Sequence, residues 1–586
     1  MDNGLLPPNI VALAKADQVA AEQKTSPSAA QVLLELARGL TLFHTPDGQA
    51  YASGLNRGSR DTWLIPGKPF RMWLIRQYMK AQCKPSPAQA LHDVLQVLEA
   101  QAMDSAERPI FLRVGACGAD VYLDLADELC RVVVITPNGW RVTQDPPLRF
   151  ARPARSLALP TPLSEGSLDP LRELLNLQQE EDWHLLLGWL LGAMCPVGPY
   201  PILVLQGEQG TAKSTVAKIL KYLIDPSTAP LRTVPRNEQD LLIAARHTHV
   251  LAFDNLSGLQ PWLSDALCRL ATGSGFATRE LFSDADETIL YAQRPIILNG
   301  IDDLATRQDL IDRAIVLTLP IIHETARRQE RELWEHVTAI RPGVLGALLT
   351  ASQTALANHD RVVLPNLPRM ADFAVWVTAA EPALGWEHGT FLRTYRRNRG
   401  EAIELGLEAS PIAPNIRAII DRDQRWEGAA KDLLELIMSE KSEAEQRSRT
   451  MPQTPQAMRN HLKRLAPALR TIGIDVIFGQ RKARTGQRLI TIEKVAENAV
   501  TSVTPSSEQG DHDKIGTAPS PLGDRGDTGD KTKHEVPREG LPPTIEGLER
   551  CDVDGRVSVA PELGQTSEHV RWDASNHSRE DGSKTG

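Results

Sequence analysis

The chain has 586 residues, with 65 Lys and Arg against 74 Asp and Glu, a formal net charge of −9. That length allows about three or four domains, and 41% hydrophobic with 24% charged residues excludes both wholesale disorder and a membrane channel. The acidic balance argues against a uniformly basic nucleic-acid coat but leaves local basic patches open. The six cysteines, from Cys83 to Cys551, form no C-x-x-C pair, which argues against a zinc ribbon and for reduced thiols in a cytoplasmic protein. No basic stretch followed by an apolar core comes after Met1, so no secretory signal is expected.

In chain order, residues 1–165 read as an α+β region whose role the sequence does not reveal. Ala29–Gly39 and residues 69–103 have helical spacing, the second with a break at Pro85. Ile110–Val114, Val121–Leu125, Val132–Thr136 and Trp140–Val142 are strand-like runs, and Asn138-Gly139 marks a hairpin. Asp124 and Asp127 are the nearest approach to a primase carboxylate pair. Three apart on a presumed strand, they point to opposite faces and read as turn or edge acids. Prolines from Pro146 to Pro162 mark a linker.

Leu185–Gln206 carries no charge, yet Pro196, Gly198, Pro199 and Pro201 interrupt it. It is expected to be a buried helix, a turn and a buried strand, not a membrane span. Between 200 and 320, strand candidates Ile202–Leu205, Val250–Phe253, Ile296–Leu298 and Ala314–Leu319 are spaced by helical stretches, the pattern of a wound sheet. Residues 325–440 read as mostly helical, and 450–495 as helix, helix and hairpin. From Glu497 the composition shifts to Gly, Pro, Ser, Thr and Asp, which predicts a disordered acidic tail over 497–586.

Four motifs carry chemistry. After the apolar run Ile202–Leu205 come Gly207, Glu208, Gln209, Gly210, Thr211, Ala212, Lys213, Ser214 and Thr215, followed by the helical stretch Val216–Leu223. A strand, a glycine loop, Lys-Ser and a helix form the context of a phosphate-binding loop. Its N–H groups and helix dipole face the phosphates. Lys213 would reach the β- and γ-phosphates of ATP, and Ser214 would ligate Mg²⁺. Ala212 stands where a glycine is usual, so a positive φ there would be costly. Next, Val250–Phe253 ends in Asp254, a second candidate Mg²⁺ ligand, followed by Asn255. Third, Pro295–Leu298 leads to Asn299, placed to orient water or contact the γ-phosphate. Fourth, Asp309-Leu310-Ile311-Asp312-Arg313 offers Arg313 as an arginine finger, the alternative being an ion pair with Asp309 or Asp312.

In that order the motifs resemble helicase superfamily 3, in particular the phage and poxvirus-type primase–helicase ATPases. The stretch Asp265–Gly273 adds to the likeness, which covers residues 165–350 well. The resemblance implies an AAA+-type core assembled as a ring, usually a hexamer, with nucleotide between subunits and Arg313 acting in trans. It also implies that Phe276–Tyr291, turning at Ser283–Asp286, is the hairpin projected into the pore toward single-stranded DNA, with Arg279 as its cation. An ion pair of Arg279 with Glu280 or Asp284 is the other reading. Relatives often carry a second acid where Asn255 stands; an amide orients water but cannot take its proton. No primase centre is present, so priming is expected on a separate primase or polymerase chain.

Residues 446–488 hold ten Lys and Arg and one acid, Asp475. Thr454-Pro455 reads as a helix start. That helix presents Arg459, Lys463, Arg464 and Arg470, with Met458, Leu462, Leu465 and Leu469 as its apolar stripe. Val476–Phe478 and Leu489–Ile492 then make a hairpin whose basic tip holds Arg481, Lys482 and Arg484. Helix plus hairpin looks like a winged helix contacting DNA phosphates.

The expected organisation is therefore an α/β protein. An N-terminal α+β region (1–165) precedes an AAA+-type P-loop ATPase core (166–350), a helical region (351–445), a winged helix (446–496) and the tail (497–586). The expected function is an ATP- and Mg²⁺-dependent DNA helicase or translocase replicating a phage or integrated mobile element. The alternative is an ATP-binding origin-recognition or loading scaffold with little unwinding, which Asn255 favours. A P-loop kinase fits less well, given the long C-terminal extension and the late Arg313. The charge divides accordingly: residues 497–586 carry 18 acids and 10 bases, a net of −8, so the acidic balance belongs to the tail.

Overall fold

The computed structural model describes residues 27–495 except Arg57, 274–275, 280–286, Tyr291, 301–303, 305–306, Arg449 and 482–487. The expected tail, the turn Ser283–Asp286, Lys482 and Arg484 lie outside the described residues.

The first helix starts where Ser28 and Gln31 form a reciprocal capping box. Helices α1 (Ala29–Ala37), α2 (Lys68–Gln82) and α3 (Ala88–Met103) pack on an antiparallel meander of β1 (Thr41–His44), β2 (Ala50–Asn56) and β3 (Ser59–Leu64). Their core gathers Leu33, Trp63, Phe70, Leu74 and Leu98. A second meander follows: β4 (Val114–Cys117), β5 (Asp120–Asp124), β6 (Val132–Thr136) and β7 (Gly139–Thr143), in that order. Its last hairpin closes at Asn138-Gly139 with Thr136 opposite Gly139.

Asp124 is buried and bonded to Arg152, while Asp127 pairs with Arg131, so both acids are spent on structural ion pairs. The proline-rich stretch after β7 is packed, not a free linker. Phe150 and Leu159 are buried, because the intervening backbone bonds the β-meander: Leu159 N–H donates to the Leu125 carbonyl at 2.8 Å.

The central sheet is parallel, in the order β13 (Ala314–Thr318), β8 (Ile202–Gln206), β12 (Ile296–Gly300) and β9 (Leu251–Leu256). Both faces are covered, and the two-residue period of a strand divides its side chains between them. Leu203, Leu205, Ile297 and Leu317 face a core built with α4 (Asp169–Leu174), α5 (Glu180–Ala193), α6 (Lys213–Ile224), α10 (Glu330–Asn358) and α11 (Ala371–Leu384). The inner face of the second meander joins that core through Val121, Leu123, Val133 and Ile135. Ile202, Val204, Phe253 and Leu298 face the other way, toward α7 (Glu238–Arg246), α8 (Pro261–Thr272) and α9 (Gln308–Ile311). The uncharged stretch resolves as α5, a turn and β8, and among the described residues no helix is long and apolar enough to cross a membrane.

Helix α12 (Thr390–Glu408) leads to the C-terminal unit of elements. These are α13 (Ala413–Asp423), β14 (Arg425–Ala429), α14 (Ala430–Ser439), α15 (Glu443–Gln446), α16 (Pro455–Thr471), β15 (Ile474–Arg481) and β16 (Arg488–Lys494). The expected hairpin is there, but β14 adds a third strand, in the order β14-β16-β15. The unit thus begins well before residue 446. Trp426 and Gly428 give β14 no clear alternation, which hides it in a helical stretch.

Two helices were expected within 450–495; the structure has one. Pro467 lies inside α16 on its exposed side, while Met458, Leu462 and Leu469 stay buried in one stripe. Thr454 caps α16, its hydroxyl accepting from Ala457 N–H at 3.1 Å.

Candidate functional site

The loop after β8 turns on backbone that few residues tolerate. Gly207 has φ +138° and Gly210 φ +88°. A methyl group on Gly207 would sit 2.7 Å from the Leu319 carbonyl oxygen, so the loop closes only with glycine there. Ala212 takes the left-handed conformation, φ +64°, immediately before α6. Glu208, Gln209 and Gly210 are exposed, Thr211 is buried, and Lys213, Ser214 and Thr215 are half-buried. Lys213 Nζ donates to the carbonyls of Gly207 (2.8 Å) and Glu208 (2.7 Å). Partial burial lowers its ammonium pKa, against the pull of Asp254.

Parallel strand order brings the second and third motifs to the same edge. Asp254 lies within β9, which continues to Leu256 instead of ending at the carboxylate. Its Oδ1 accepts from Ser214 Oγ at 2.7 Å, so the two expected Mg²⁺ ligands already touch. Between loop and carboxylate runs β12, carrying Asn299, where the register with β9 shifts. Asn299 is buried; its Oδ1 accepts from Asn255 N–H at 2.9 Å, and its Nδ2 has no partner among the described residues. Asn255 has φ +57°, a conformation asparagine tolerates better than most residues, and its side chain is exposed.

These residues fit a Mg²⁺–nucleotide. Positive-φ glycines free backbone N–H groups, a lysine points into the loop, and one hydroxyl and one carboxylate supply hard oxygen donors. Mg²⁺ commonly takes only one or two protein oxygens and completes its shell with phosphates and water. No cluster of three or more His, Cys, Asp or Glu side chains suited to a metal occurs among the described residues.

Arg313 lies elsewhere. It immediately precedes β13, and its carbonyl accepts from the N–H of Ile202, the first residue of β8. With five residues in β8, it stands about 15 Å from its own loop, at the opposite edge of the sheet. Its side chain is 12% exposed and bonds the Asp309 carbonyl (2.8 Å) and carboxylate. Asp312 bonds Arg399 at 2.7 Å instead.

The hairpin forms from β10 (Phe276–Arg279) and β11 (Glu287–Leu290), with Arg279 opposite Glu287 in the backbone register. On α16, the Arg459 guanidinium lies 5.0 Å and the Lys463 ammonium 5.9 Å from the ring centre of Phe478 on β15. Lys463 and Arg464 are exposed, Arg470 pairs with Asp475 at 3.0 Å, and Arg481 closes β15 opposite Arg488.

Sequence reasoning missed residues that hold the loop from outside. Asn176 Nδ2 donates to the Pro320 (2.6 Å) and Thr211 (3.3 Å) carbonyls. It also missed a buried ion cluster beneath the sheet. Asp225 Oδ1 accepts from Arg113 Nε and Nη2, both at 3.3 Å, and Oδ2 from Lys221 Nζ and the N–H groups of His249 and Val250, each at 3.0 Å. A lone Asp at a helix end carries no sequence signal of such a role.

Residues 168–399 match the family described as actinomycete integrative conjugative element replication protein, and residues 412–507 match the C-terminal domain of that RepA family. Among curated proteins none matches the chain. Solved structures similar to it include the apo C-terminal region of NrS-1, at 11% identity, with 80% of this chain and 100% of that chain covered and a TM-score of 0.37. JCV helicase bound to a substituted acetamide is similar at 13% identity over 40% of this chain and 72% of that one, with a TM-score of 0.20.

Proposed function

We propose, on the premise that residues 168–399 and 412–507 are those of a replication protein of integrative conjugative elements, that the chain is an ATP-dependent DNA helicase or translocase. The observation that carries this reading is the 2.7 Å contact of Ser214 with Asp254 beside Lys213, at the edge of a parallel sheet. Loop residues 207–215 bind the phosphates through backbone N–H groups, and Lys213 turns from the loop carbonyls to the β- and γ-phosphates. Ser214 and Asp254 would hold Mg²⁺, which would supply positive charge to neutralise those phosphates. The unpartnered Asn299 Nδ2 donates toward the γ-phosphate or the attacking water, its orientation fixed by Asn255 N–H.

Arg313 is too far from its own loop to act there, which supports action on a neighbouring subunit's site in an AAA+-type ring, a hexamer by the resemblance. There it would leave Asp309 for the transferring phosphoryl group. The order α13, β14, α14, α16, β15 and β16, with three strands, supports a winged helix that binds DNA phosphates through Arg459, Lys463, Arg464, Arg481, Lys482 and Arg484. The hairpin bearing Arg279 would follow single-stranded DNA in the pore. Asn255, exposed beside Asp254, favours a second reading: an ATP-binding origin-recognition or loading scaffold with slow hydrolysis.

ATPase rate with and without single-stranded DNA, for wild type and Lys213→Ala, tests the motor. DNA-stimulated hydrolysis abolished by the substitution is expected. Nucleotide binding with no hydrolysis in either condition leaves the scaffold.

A further inference from the structure

The segment that follows β13 does not leave the site. It runs back across the loop: Leu319 N–H donates to the Gln206 carbonyl at 2.9 Å, and Ile322 N–H to the Gly210 carbonyl at 3.4 Å. Asn176 ties Pro320 to Thr211, and Lys218 on α6 faces Glu330 at 3.8 Å. A single 3₁₀ turn, Glu324–Ala326, lies between these attachments and ends at Arg327. The Arg327 Nη2 lies 3.9 Å from the point a methyl group on Gly210 would occupy. Arg327 is exposed, and its guanidinium has no hydrogen-bond or ion-pair partner among the described residues.

An arginine held at a loop rich in free N–H groups, with no acid to neutralise it, is set up for an anion. A guanidinium fork matches phosphate oxygens, and charge-assisted bonds of this kind are about twice as strong as neutral ones. We propose that residues 319–330 form a strap that delivers Arg327, from the same chain, as a phosphate-binding residue for the nucleotide in loop 207–215. This rests on the nucleotide reading above and adds a residue to it. Arg313 and Arg327 thus flank the same strand, β13, with opposite assignments: on the proposed reading the first acts on another chain's site and the second on its own.

The experiment is fluorescence titration of full-length protein with mant-ATP and Mg²⁺, for wild type, Arg327→Ala, Arg327→Lys, Arg328→Ala and Lys213→Ala. Arg327→Ala is expected to weaken binding about 10- to 100-fold, the size of one or two lost charge-assisted hydrogen bonds. Arg327→Lys should fall between, keeping the charge but losing the fork. Arg328→Ala, one residue further along the exposed strap, should bind as wild type does. Thermal unfolding midpoints matching wild type show that the substituted chains are folded.

Wild-type affinity in Arg327→Ala, with binding lost in Lys213→Ala, overturns the strap assignment and leaves the nucleotide reading intact. Equal losses in Arg327→Ala and Arg328→Ala also overturn it, since the effect would then be one of general charge. No binding by wild type overturns both.

Discussion

The two edges of the central sheet are built on opposite terms. At the N-terminal edge Asp225 receives five donors, from Arg113, Lys221 and the backbone of His249 and Val250, all buried. Burial alone would raise its carboxyl pKa, but Lys221 and Arg113 outweigh that and hold it well below the usual carboxylate range. At the C-terminal edge, among the described residues, Asn299 Nδ2 is buried without a partner and Arg327 has none, while Ala212 and Asn255 both sit in left-handed backbone. Saturated polar groups fix a fold; unsaturated ones beside strained backbone are kept for something that binds. The same strands thus carry a structural clamp at one end and, on the proposed reading, the nucleotide site at the other.

Asp225→Ala is the strongest way to break this comparison. It strands Arg113 and Lys221 in the core, and removing one partner of a buried ion cluster costs about 3–5 kcal/mol. Urea unfolding should show that loss. Whatever protein remains folded should bind nucleotide with wild-type affinity; loss of binding at an unchanged far-UV signal would make the N-terminal edge part of the site.

His249 gives the pH test. Burial, with help from Arg294 and Arg113, pushes its imidazole down to about 4, against the pull of Asp225. The unfolded chain therefore takes up the proton first as pH falls through about 6.5. This contribution is complete above that value and fades toward the folded pKa, by at most about 3 kcal/mol. Urea unfolding of wild type should weaken across that window, and His249→Gln should flatten the slope. Asp225, whose folded value is depressed, adds its own loss only below about 3.9.

At the other edge, substitutions should cost function more than fold. Gly207→Ala forces a Cβ to 2.7 Å from the Leu319 carbonyl in backbone at φ +138°. A local loss of about 1–3 kcal/mol is expected, with mant-ATP binding lost alongside. Asn255→Asp supplies the missing proton acceptor in a conformation Asp also tolerates. It should raise ATP hydrolysis at least about tenfold with little change in affinity. An unchanged rate would mean that proton transfer is not what limits hydrolysis.

The sequence made the loop, the presence of the four strands and the α16 cap readable, because glycine spacing, apolar runs and Thr-Pro are local signals. The loop's opposite-edge relation to Arg313 was not readable: it depends on the parallel register of β13 on β8, which no spacing encodes. Arg327 was hidden for the same reason, since an arginine in a loop acquires meaning only when the chain folds back over Gly210. Strand β14 was lost because its partner β16 lies some 60 residues further on, and pairing at that distance leaves no periodic trace. Asp225 gave no signal because four of its five donors come from residues distant in the chain or from backbone.

The finest test is Ala212→Gly. Left-handed backbone costs a residue with a Cβ about 1–2 kcal/mol, and Ala212, at φ +64°, bears that cost at the mouth of α6. Glycine removes it but gives the unfolded chain more freedom, which takes back about 0.4–1 kcal/mol. A net gain of about 0.5–1 kcal/mol is expected, visible as a small rise in the unfolding midpoint. If the strain also holds Lys213 and Ser214 at a fixed angle to Asp254, the variant gains stability while losing affinity for mant-ATP. A gain in both would mean that alanine there is merely tolerated. That outcome would take strain out of the contrast between the edges, leaving the unpartnered Asn299 and Arg327 to carry it.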